Sequence, residues 1–149
     1  IYDEDLIALV GDRILTYNEH IKFVSLVVNA GSLEKHEANM TLEVDGSKKI
    51  AKSFGNGPVD ATFNAIKEIT TYKFRLKLYQ VQAITEGTDA LGAVTVRLGD
   101  ENFISQAKGS DPDIIVASAK AYINALNKLI YKKTKKISEQ VSELKVKGV

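Results

Sequence analysis

Residues 53–61 read Ser53-Phe54-Gly55-Asn56-Gly57-Pro58-Val59-Asp60-Ala61, a tight glycine turn that leads into a helix. Proline fixes φ near the helical value and lacks only an N–H that the first helical turn leaves unpaired. Pro58 is therefore predicted at the first helical position and Gly57 at the N-cap. Glycine has no capping side chain, so the first amides point outward at the positive end of the helix dipole. The stretch predicts a small anion site, and the alternative is a helix start whose amides bond to water or to Asp60.

The only other proline, Pro112, lies in a stretch that repeats the first turn after 54 residues. This shift places Gly55-Asn56-Gly57-Pro58 on Gly109-Ser110-Asp111-Pro112, residues 40–44 on 94–98, Ile50 on Ile104, and Ala65 on Ala119. The hydrophobic positions agree, so we predict two copies of one supersecondary unit. Asp111 can cap the second helix, which makes the second turn structural and leaves the first turn open to a ligand; Asp111 and Asp113 are both interpreted as capping residues and not as paired acids.

The composition is that of an ordinary globular domain, with 149 residues, 44% apolar and 26% charged. A net charge of +1 gives no overall field for nucleic acid, and no membrane span is evident. The absence of cysteine excludes disulfides and thiolate metal sites. We expect a cytoplasmic protein and, because the chain opens on Ile1 without a signal-peptide pattern, a piece of a longer polypeptide.

The hydrophobic periodicity predicts an α+β fold of two consecutive βββα units. The first unit has expected strands at 23–28, 38–44 and 49–54, then a helix from Pro58 to about Tyr72. The second has expected strands at 74–84, 91–98 and 103–107, then a helix from Pro112. Asp45-Gly46 is typical of a hairpin turn. We expect antiparallel sheets with the helices packed on one face.

Three regions are expected along the chain. Residues 1–21 carry a short helix at 2–10, predicted from acidic residues in its first turn and apolar spacing, and then a linker. Residues 22–134 form the main domain, with units 22–72 and 73–134, and residues 135–149 form a basic helical tail. The lysine-rich run 128–136 is interpreted as a solvated helix end, with a phosphate-binding tail as the alternative.

The strand at 74–84 has apolar residues on both parities. Phe74, Leu76 and Leu78 alternate with charged residues, whereas Tyr79, Val81 and Ala83 fall on the opposite parity. A strand that is apolar on both faces is covered on both faces. Since helices cover one side, we predict that a second subunit covers the other.

The residues favour binding over catalysis. His20 and His36 lack metal-ligand spacing, the serines lack a nucleophile elbow, and the glycine turn lacks the Lys-Ser/Thr end of a P-loop. A free amino acid suits the turn, because its carboxylate can accept bonds from the amides of the stretch from Gly57 to Asp60. Its ammonium can meet a carbonyl or a carboxylate, and the strand at 74–84 could supply an apolar wall.

Four motifs occur in order and carry a resemblance: Gly55-Asn56-Gly57-Pro58-Val59-Asp60-Ala61, Leu78-Tyr79-Gln80-Val81, Gly87-Thr88-Asp89-Ala90-Leu91-Gly92, and Asp113-Ile114-Ile115-Val116-Ala117-Ser118 followed by Ala121-Tyr122 and Ala125-Leu126-Asn127. From about residue 22 to residue 127 the chain resembles the C-terminal regulatory domain of 2-isopropylmalate synthase and its relative citramalate synthase. The resemblance implies a non-catalytic allosteric domain of two βββα units related by a pseudo-twofold. It further implies a homodimer that binds the end product of a pathway and inhibits a catalytic barrel in the same polypeptide.

The resemblance implies an effector site made of Gly55, Asn56, Gly57, Asp60, Leu76, Tyr79, Ala83 and Ala90. It implies leucine feedback on an acyltransferase that condenses acetyl-CoA with 2-oxoisovalerate, or, alternatively, isoleucine feedback on citramalate synthase. These effectors differ only in where one methyl branches, and the sequence leaves both open. No cofactor is expected in this chain, since the divalent metal and acetyl-CoA belong to the barrel. Two alternatives of other classes are an RNA-binding module that uses residues 128–136 and a dimerisation module without a ligand.

Overall fold

The computed structural model describes the backbone of residues 5–10, 13–18, 20–30, 35–86 and 89–147, and the side chains of residues 20–29, 35–82 and 91–140. Within these residues the elements are, in order, β1 (Asp5–Val10), β2 (Arg13–Asn18), β3 (Ile21–Ala30), β4 (His36–Val44), β5 (Ser47–Gly55), α1 (Pro58–Thr70), β6 (Arg75–Glu86), β7 (Asp89–Gly99), β8 (Ile104–Asp111) and α2 (Ile114–Lys147).

Two antiparallel three-stranded sheets, β3-β4-β5 and β6-β7-β8, each carry one helix. The predicted α+β class with two βββα units is confirmed, and so is the 54-residue repeat. Ala65 and Ala119 are both fully buried. A Cβ built on Gly55 would clash with the backbone N of Ala61, and one on Gly109 would clash with that of Ala121. Both third strands thus need a glycine where a helix backbone comes close, although the helix residues that they approach, Ala61 and Ala121, are not equivalent under the 54-residue shift.

The core lies between the sheets and the helices. Alternate residues of the two central strands are fully buried and point to the helices: Ala38, Met40 and Leu42 on β4, and Val94, Val96 and Leu98 on β7. This period of two is why the sequence pattern located these strands correctly. α1 packs on β4 and β5, α2 packs on β7 and β8, and the helices also contact each other.

The prediction that the first strand of the second unit is apolar on both faces is wrong, because β6 contains a β-bulge between Leu76 and Leu78. Across this bulge Leu76 pairs with Leu98, and Tyr79 pairs with Val96. Leu98 and Val96 are buried under the helices, so Leu76 and Tyr79 lie on the same, helix-facing side. One extra residue in a strand moves every side chain that follows it to the opposite face of the sheet from the one that simple alternation predicts. β3 has a similar bulge between residues 23 and 25.

The helix predicted at residues 2–10 is also wrong for residues 5–10, the part of it that the structure describes. Residues 5–10 form β1, which pairs antiparallel with β2 from Asp5 opposite Asn18 to Val10 opposite Arg13. A short helix has little stability of its own, whereas the β-branched residues of β1 and the β-branched and aromatic residues of β2 favour an extended pair. Residues 2–4 lie outside the described part of the chain, and the division into regions 1–21, 22–134 and 135–149 stays a prediction.

Asn127 on α2 ties the second unit to the first. Its buried side-chain Oδ1 accepts hydrogen bonds from the backbone N–H groups of His20, at 3.1 Å, and Ile21, at 3.0 Å. Its Nδ2 donates to the carbonyl oxygen of Ile21 at 2.9 Å. One carboxamide therefore satisfies three backbone groups at the start of β3 and fixes the position of that strand on α2.

Thr71 ends α1 in a left-handed conformation, with φ 60° and ψ 5°. A β-branched residue is strained there, so we expect Thr71→Gly to raise the free energy of unfolding by about 1 kcal/mol. Urea titration of both proteins measures the difference. Thr71→Ala is the matched control, because alanine still carries the Cβ that clashes. Equal stability of the glycine and alanine variants would contradict the strain argument.

Candidate functional site

The glycine turn begins α1 as predicted. Pro58 is the first helical residue, and Gly57 is the N-cap with an extended backbone (φ −146°, ψ 172°) and no side-chain capping bond. Asp60 Oδ2 accepts a hydrogen bond from the backbone N–H of Asn56 at 3.0 Å. The alternative prediction, that the amides of this turn bond to Asp60, is therefore met in part, because Asp60 accepts from one of them. Gly57 leaves the first amides of α1 without a side-chain cap.

The second turn is closed by two aspartates. α2 begins at Ile114, two residues after Pro112, so the prediction that Pro112 opens the helix is wrong. Asp113 Oδ1 accepts from the N–H of Ile115 at 2.8 Å, and Asp111 Oδ2 accepts from the N–H of Asp113 at 2.9 Å. The residue that caps α2 is therefore Asp113, and Asp111, which was predicted to cap the helix, supports it. The contrast between an open first turn and a closed second turn agrees with the prediction.

Asp111 gives a pH test of this closed turn. The hydrogen bond from the Asp113 N–H lowers the pKa of Asp111, burial opposes this shift, and Lys120 adds to it. A carboxyl whose pKa is lowered on folding stabilises the protein above its unfolded pKa of about 3.9, and this stabilisation is lost as the pH falls through the folded pKa. Below about pH 4 we expect the stability of the parent to fall more steeply than that of Asp111→Asn.

Urea titrations at a series of acid pH values measure both slopes. Glu101→Gln, at an exposed position on the β7–β8 turn, is the control for removing any one carboxyl. Parallel curves for the parent and Asp111→Asn would contradict a role for Asp111 in the acid response.

Tyr79 lies where the two units meet. Its hydroxyl is 2.7 Å from Ser118 Oγ, and because the Ser118 hydroxyl donates to the carbonyl oxygen of Ile114 at 2.8 Å, Tyr79 is the donor in this pair. The Tyr79 ring stands edge-on to Phe63, with ring centroids 5.9 Å apart, and Phe63 lies 4.6 Å from the Tyr122 ring. Burial raises the pKa of Tyr122 to about 12, so its phenol stays neutral. The cluster links α1, β6 and α2.

The structure brings some of the predicted site residues together. Leu76, Tyr79 and Ala83 pair with Leu98, Val96 and Gly92, which places all three on one face of β6. Ala90 pairs with Thr85 in the same hairpin, and the side chains of Ala83 and Ala90 lie outside the described part of the chain. Gly55, Asn56, Gly57 and Asp60 sit at the start of α1, which reaches β6 through the contact of Phe63 with Tyr79.

Two residues beside the candidate site were missed as site residues. In the sequence, Phe63 recurs at helical spacing with Val59, Ile66 and Ile69 and so forms an apolar stripe on α1, which gave it only a core assignment. Ser118 is a polar residue on a helix face that is otherwise buried and apolar, and that mismatch is the signal that could have found it.

Part of the helix-facing side of β6 is not covered by the helices. α2 packs over β7 and β8, and on β6 the side chains of Leu76 and Val81 stay 42% and 47% exposed. Tyr79 lies between them and is half-buried. The three residues form an apolar strip, named here the β6 strip, on the side of the sheet that elsewhere forms the core. Such an uncovered strip is typical of a surface that receives a ligand or another chain.

The described residues contain no group of three or more histidine, cysteine, aspartate or glutamate side chains that could hold a metal ion. In the same part of the chain, no helix is both long and apolar enough to cross a membrane. What the site offers is the uncapped first amides of α1 before Ala61, a carboxylate at Asp60, a tyrosine hydroxyl and an apolar strip. These groups can bind and orient a small zwitterion.

The fold and the site thus define an α+β domain of two βββα units with an uncovered apolar strip on β6. The profile of the LeuA allosteric (dimerisation) domain family matches residues 1–130, and the chain belongs to this family. The resemblance seen in the four motifs is confirmed.

Similar proteins carry the name 2-isopropylmalate synthase. The chain is 47% identical over 148 residues to that of Rhodopseudomonas palustris CGA009, covering 99% of this chain and 28% of the relative. It is 48% identical over 139 residues to that of Bradyrhizobium sp. BTAi1, covering 93% of this chain and 27% of the relative. The chain therefore spans about a quarter of the length of these relatives.

Proposed function

We propose that the chain is the leucine-binding regulatory domain of a cytoplasmic 2-isopropylmalate synthase, and that it acts as a homodimer joined to a catalytic barrel in the same polypeptide. The β6 strip is the observation that carries this proposal, because it is apolar, half-exposed and linked through Tyr79 and Phe63 to the uncapped start of α1. The relatives' name and the family's allosteric role support it.

The groups of the site match those of leucine. The carboxylate would accept bonds from the first amides of α1, where the helix dipole favours negative charge. The ammonium would meet the Asp60 carboxylate or a turn carbonyl. The isobutyl group would lie against the β6 strip, where burial of apolar area stabilises the complex by about 25 cal/mol per Å². None of these contacts requires a catalytic residue or a metal in this chain.

A second copy of the chain is the proposed cover for the rest of the β6 strip. Leucine is too small to cover Leu76, Tyr79 and Val81 along the strand, and the family is described as a dimerisation domain. An effector bound beside such an interface would shift the equilibrium between an active and an inhibited state of the enzyme. The size of the shift is the difference in its binding free energy for the two states, typically about 1–3 kcal/mol. The parent's metal and acetyl-CoA would remain in the catalytic region.

Leucine is favoured over isoleucine because the curated relatives are isopropylmalate synthases. The RNA-binding alternative is not favoured, since the family is an allosteric one and several lysines of the run 128–136 are held by the protein itself.

A thermal shift series with leucine, isoleucine, valine and no ligand tests the proposal. A ligand at about 100 times its Kd stabilises the folded state by about 2.7 kcal/mol, which for a domain of this size raises Tm by roughly 5–10 °C. We expect this rise with leucine and a smaller one with the other two. A larger rise in Tm with isoleucine would favour the alternative hypothesis, a regulatory domain of citramalate synthase. No rise with any of them, in a chain whose measured mass is that of a dimer, would reduce the proposal to dimerisation alone.

Tyr79→Ala is expected to weaken leucine binding about tenfold, equivalent to about 1.4 kcal/mol, because it removes the centre of the β6 strip. Isothermal titration calorimetry gives the Kd. Tyr79→Phe is the matched control: it keeps the ring against Phe63, loses only the bond to Ser118 and should bind leucine nearly as tightly as the parent. Equal affinity of the alanine variant and the parent would remove Tyr79 from the site.

A further inference from the structure

β8 is an edge strand, since its sheet runs in the order β6-β7-β8. Ile104, Gln106 and Lys108 alternate along it, so their carbonyl groups point to the same side of the strand. An edge of this kind is a template for pairing with a strand of another chain. What happens to these three carbonyls therefore matters for how copies of the chain assemble.

Each of the three carbonyls accepts a hydrogen bond from a side chain of α2. Asn124 Nδ2 donates to the Lys108 carbonyl oxygen at 2.9 Å. Lys128 Nζ donates to that of Gln106 at 3.0 Å, and Lys132 Nζ donates to that of Ile104. We call Asn124, Lys128 and Lys132 the α2 ladder.

The spacing of the α2 ladder matches the strand. Its members are four residues apart and lie on one face of the helix, where four residues rise about 6 Å. Their acceptors are two residues apart in the reverse order, and two strand residues rise about 6.6 Å. Helix and strand therefore stay in step over three bonds. This regularity gives the lysine run a role that neither a solvated helix end nor a phosphate-binding tail explains.

The next lysine has a different task at the end of the same sheet. Lys133 Nζ lies 3.4 Å from Asp100 Oδ2, in the turn between β7 and β8, and 4.9 Å from the centroid of the Phe74 ring. It holds the turn rather than the strand edge.

The first unit has one bond of the same kind as those of the α2 ladder. There, Asn64 Nδ2 on α1 donates to the carbonyl oxygen of Phe54 on β5 at 2.9 Å.

We propose that the α2 ladder closes the β8 edge to strand addition and so keeps a second copy of this chain from pairing there. A strand that paired at this edge would have to displace all three side chains and lie beside two ammonium groups. The proposal is independent of whether the chain binds leucine, because it concerns only where copies can associate.

The test replaces both ladder lysines with methionine, which keeps an unbranched side chain only one heavy atom shorter and removes the donors. We expect Lys128→Met/Lys132→Met to form assemblies larger than those of the parent, with the weight-average mass rising about twofold or more across a concentration series in light scattering. The control is Lys67→Met/Lys135→Met, which changes the net charge equally at positions off the ladder and should keep the parental mass.

The parental mass in the ladder variant would overturn the proposal. Equal association in both double variants would also overturn it, because net charge and not the ladder would then control assembly. Circular dichroism and a cooperative melt verify that each variant folds. Should the ladder double variant not melt cooperatively, Lys132→Met alone replaces it, with the same expected growth in mass and Lys135→Met as its control.

Discussion

Asn127→Leu is expected to lower the free energy of unfolding by about 3–5 kcal/mol. Leucine has the same branched shape of four heavy atoms as asparagine but is bulkier, and it cannot accept hydrogen bonds from the N–H groups of His20 and Ile21 or donate to the Ile21 carbonyl. Leaving a buried backbone group without a partner costs about 1–3 kcal/mol, and burial of the leucine side chain offsets part of the total. Urea titration followed by circular dichroism measures the change.

Asn124→Leu is the control for this experiment, since Asn124 makes one partly exposed bond, to the Lys108 carbonyl, and should cost about 1 kcal/mol or less. The Asn127 variant should also unfold differently, because its bonds hold β3 of the first unit to α2 of the second. We expect the two units to lose cooperativity and the transition to broaden. A loss no larger than that of Asn124→Leu, with a single sharp transition, would contradict the role assigned to Asn127.

Much of the fold could be predicted from the sequence, because its main patterns are local. The alternation on β4 and β7 is compatible only with strands, and the apolar stripe of α1 only with a helix. The repeat followed from the two glycine turns, which recur because both third strands approach a helix backbone closely. A glycine that is required by such a close approach can be recognised in the sequence without knowledge of the rest of the fold.

Other features could not be predicted, because they depend on tertiary context. The bulge in β6 is one extra residue set by pairing with β7, and period counting across it assigns the wrong face. Residues 5–10 have apolar spacing compatible with a helix, and pairing with β2 decides for a strand. Both Asp111 and Asp113 were interpreted as capping residues, but the start of α2 at Ile114 and not at Pro112 is a shift of two residues between the repeats, within the usual uncertainty of helix ends.

The candidate site was predictable in composition but not in detail. The open N-cap at Gly57 follows from Gly-Pro alone, and the alignment of Leu76, Tyr79 and Ala83 on one face follows only once the bulge is known. Phe63 and Ser118, which hold Tyr79 in place, are far from it in sequence, and a single sequence does not show such pairs. The partners of Lys128 and Lys132 were hidden for the same reason.

Gly57→Asp is expected to weaken leucine binding about 100-fold or more while leaving the fold intact. The extended backbone of Gly57 suits any residue, and a Cβ built there meets nothing within 4 Å. Aspartate is a good N-cap, so its carboxylate would bond to the amides that the leucine carboxylate is proposed to use, and would repel it. Losing charge-assisted bonds worth about 1.5–3 kcal/mol, together with that repulsion, gives the expected factor.

Calorimetric titration with leucine and a melt without ligand separate the two effects of this substitution. We expect Gly57→Asp to melt at or slightly above the temperature of the parent, since it gains a cap, and yet to bind poorly. Gly57→Ala adds a Cβ without a capping group and should bind nearly as well as the parent. This pattern would mean that the missing cap is kept for binding at a small cost in stability. Undiminished binding by a folded Gly57→Asp would mean that the start of α1 is not where the effector carboxylate sits, and the site would then have to lie along the β6 strip alone.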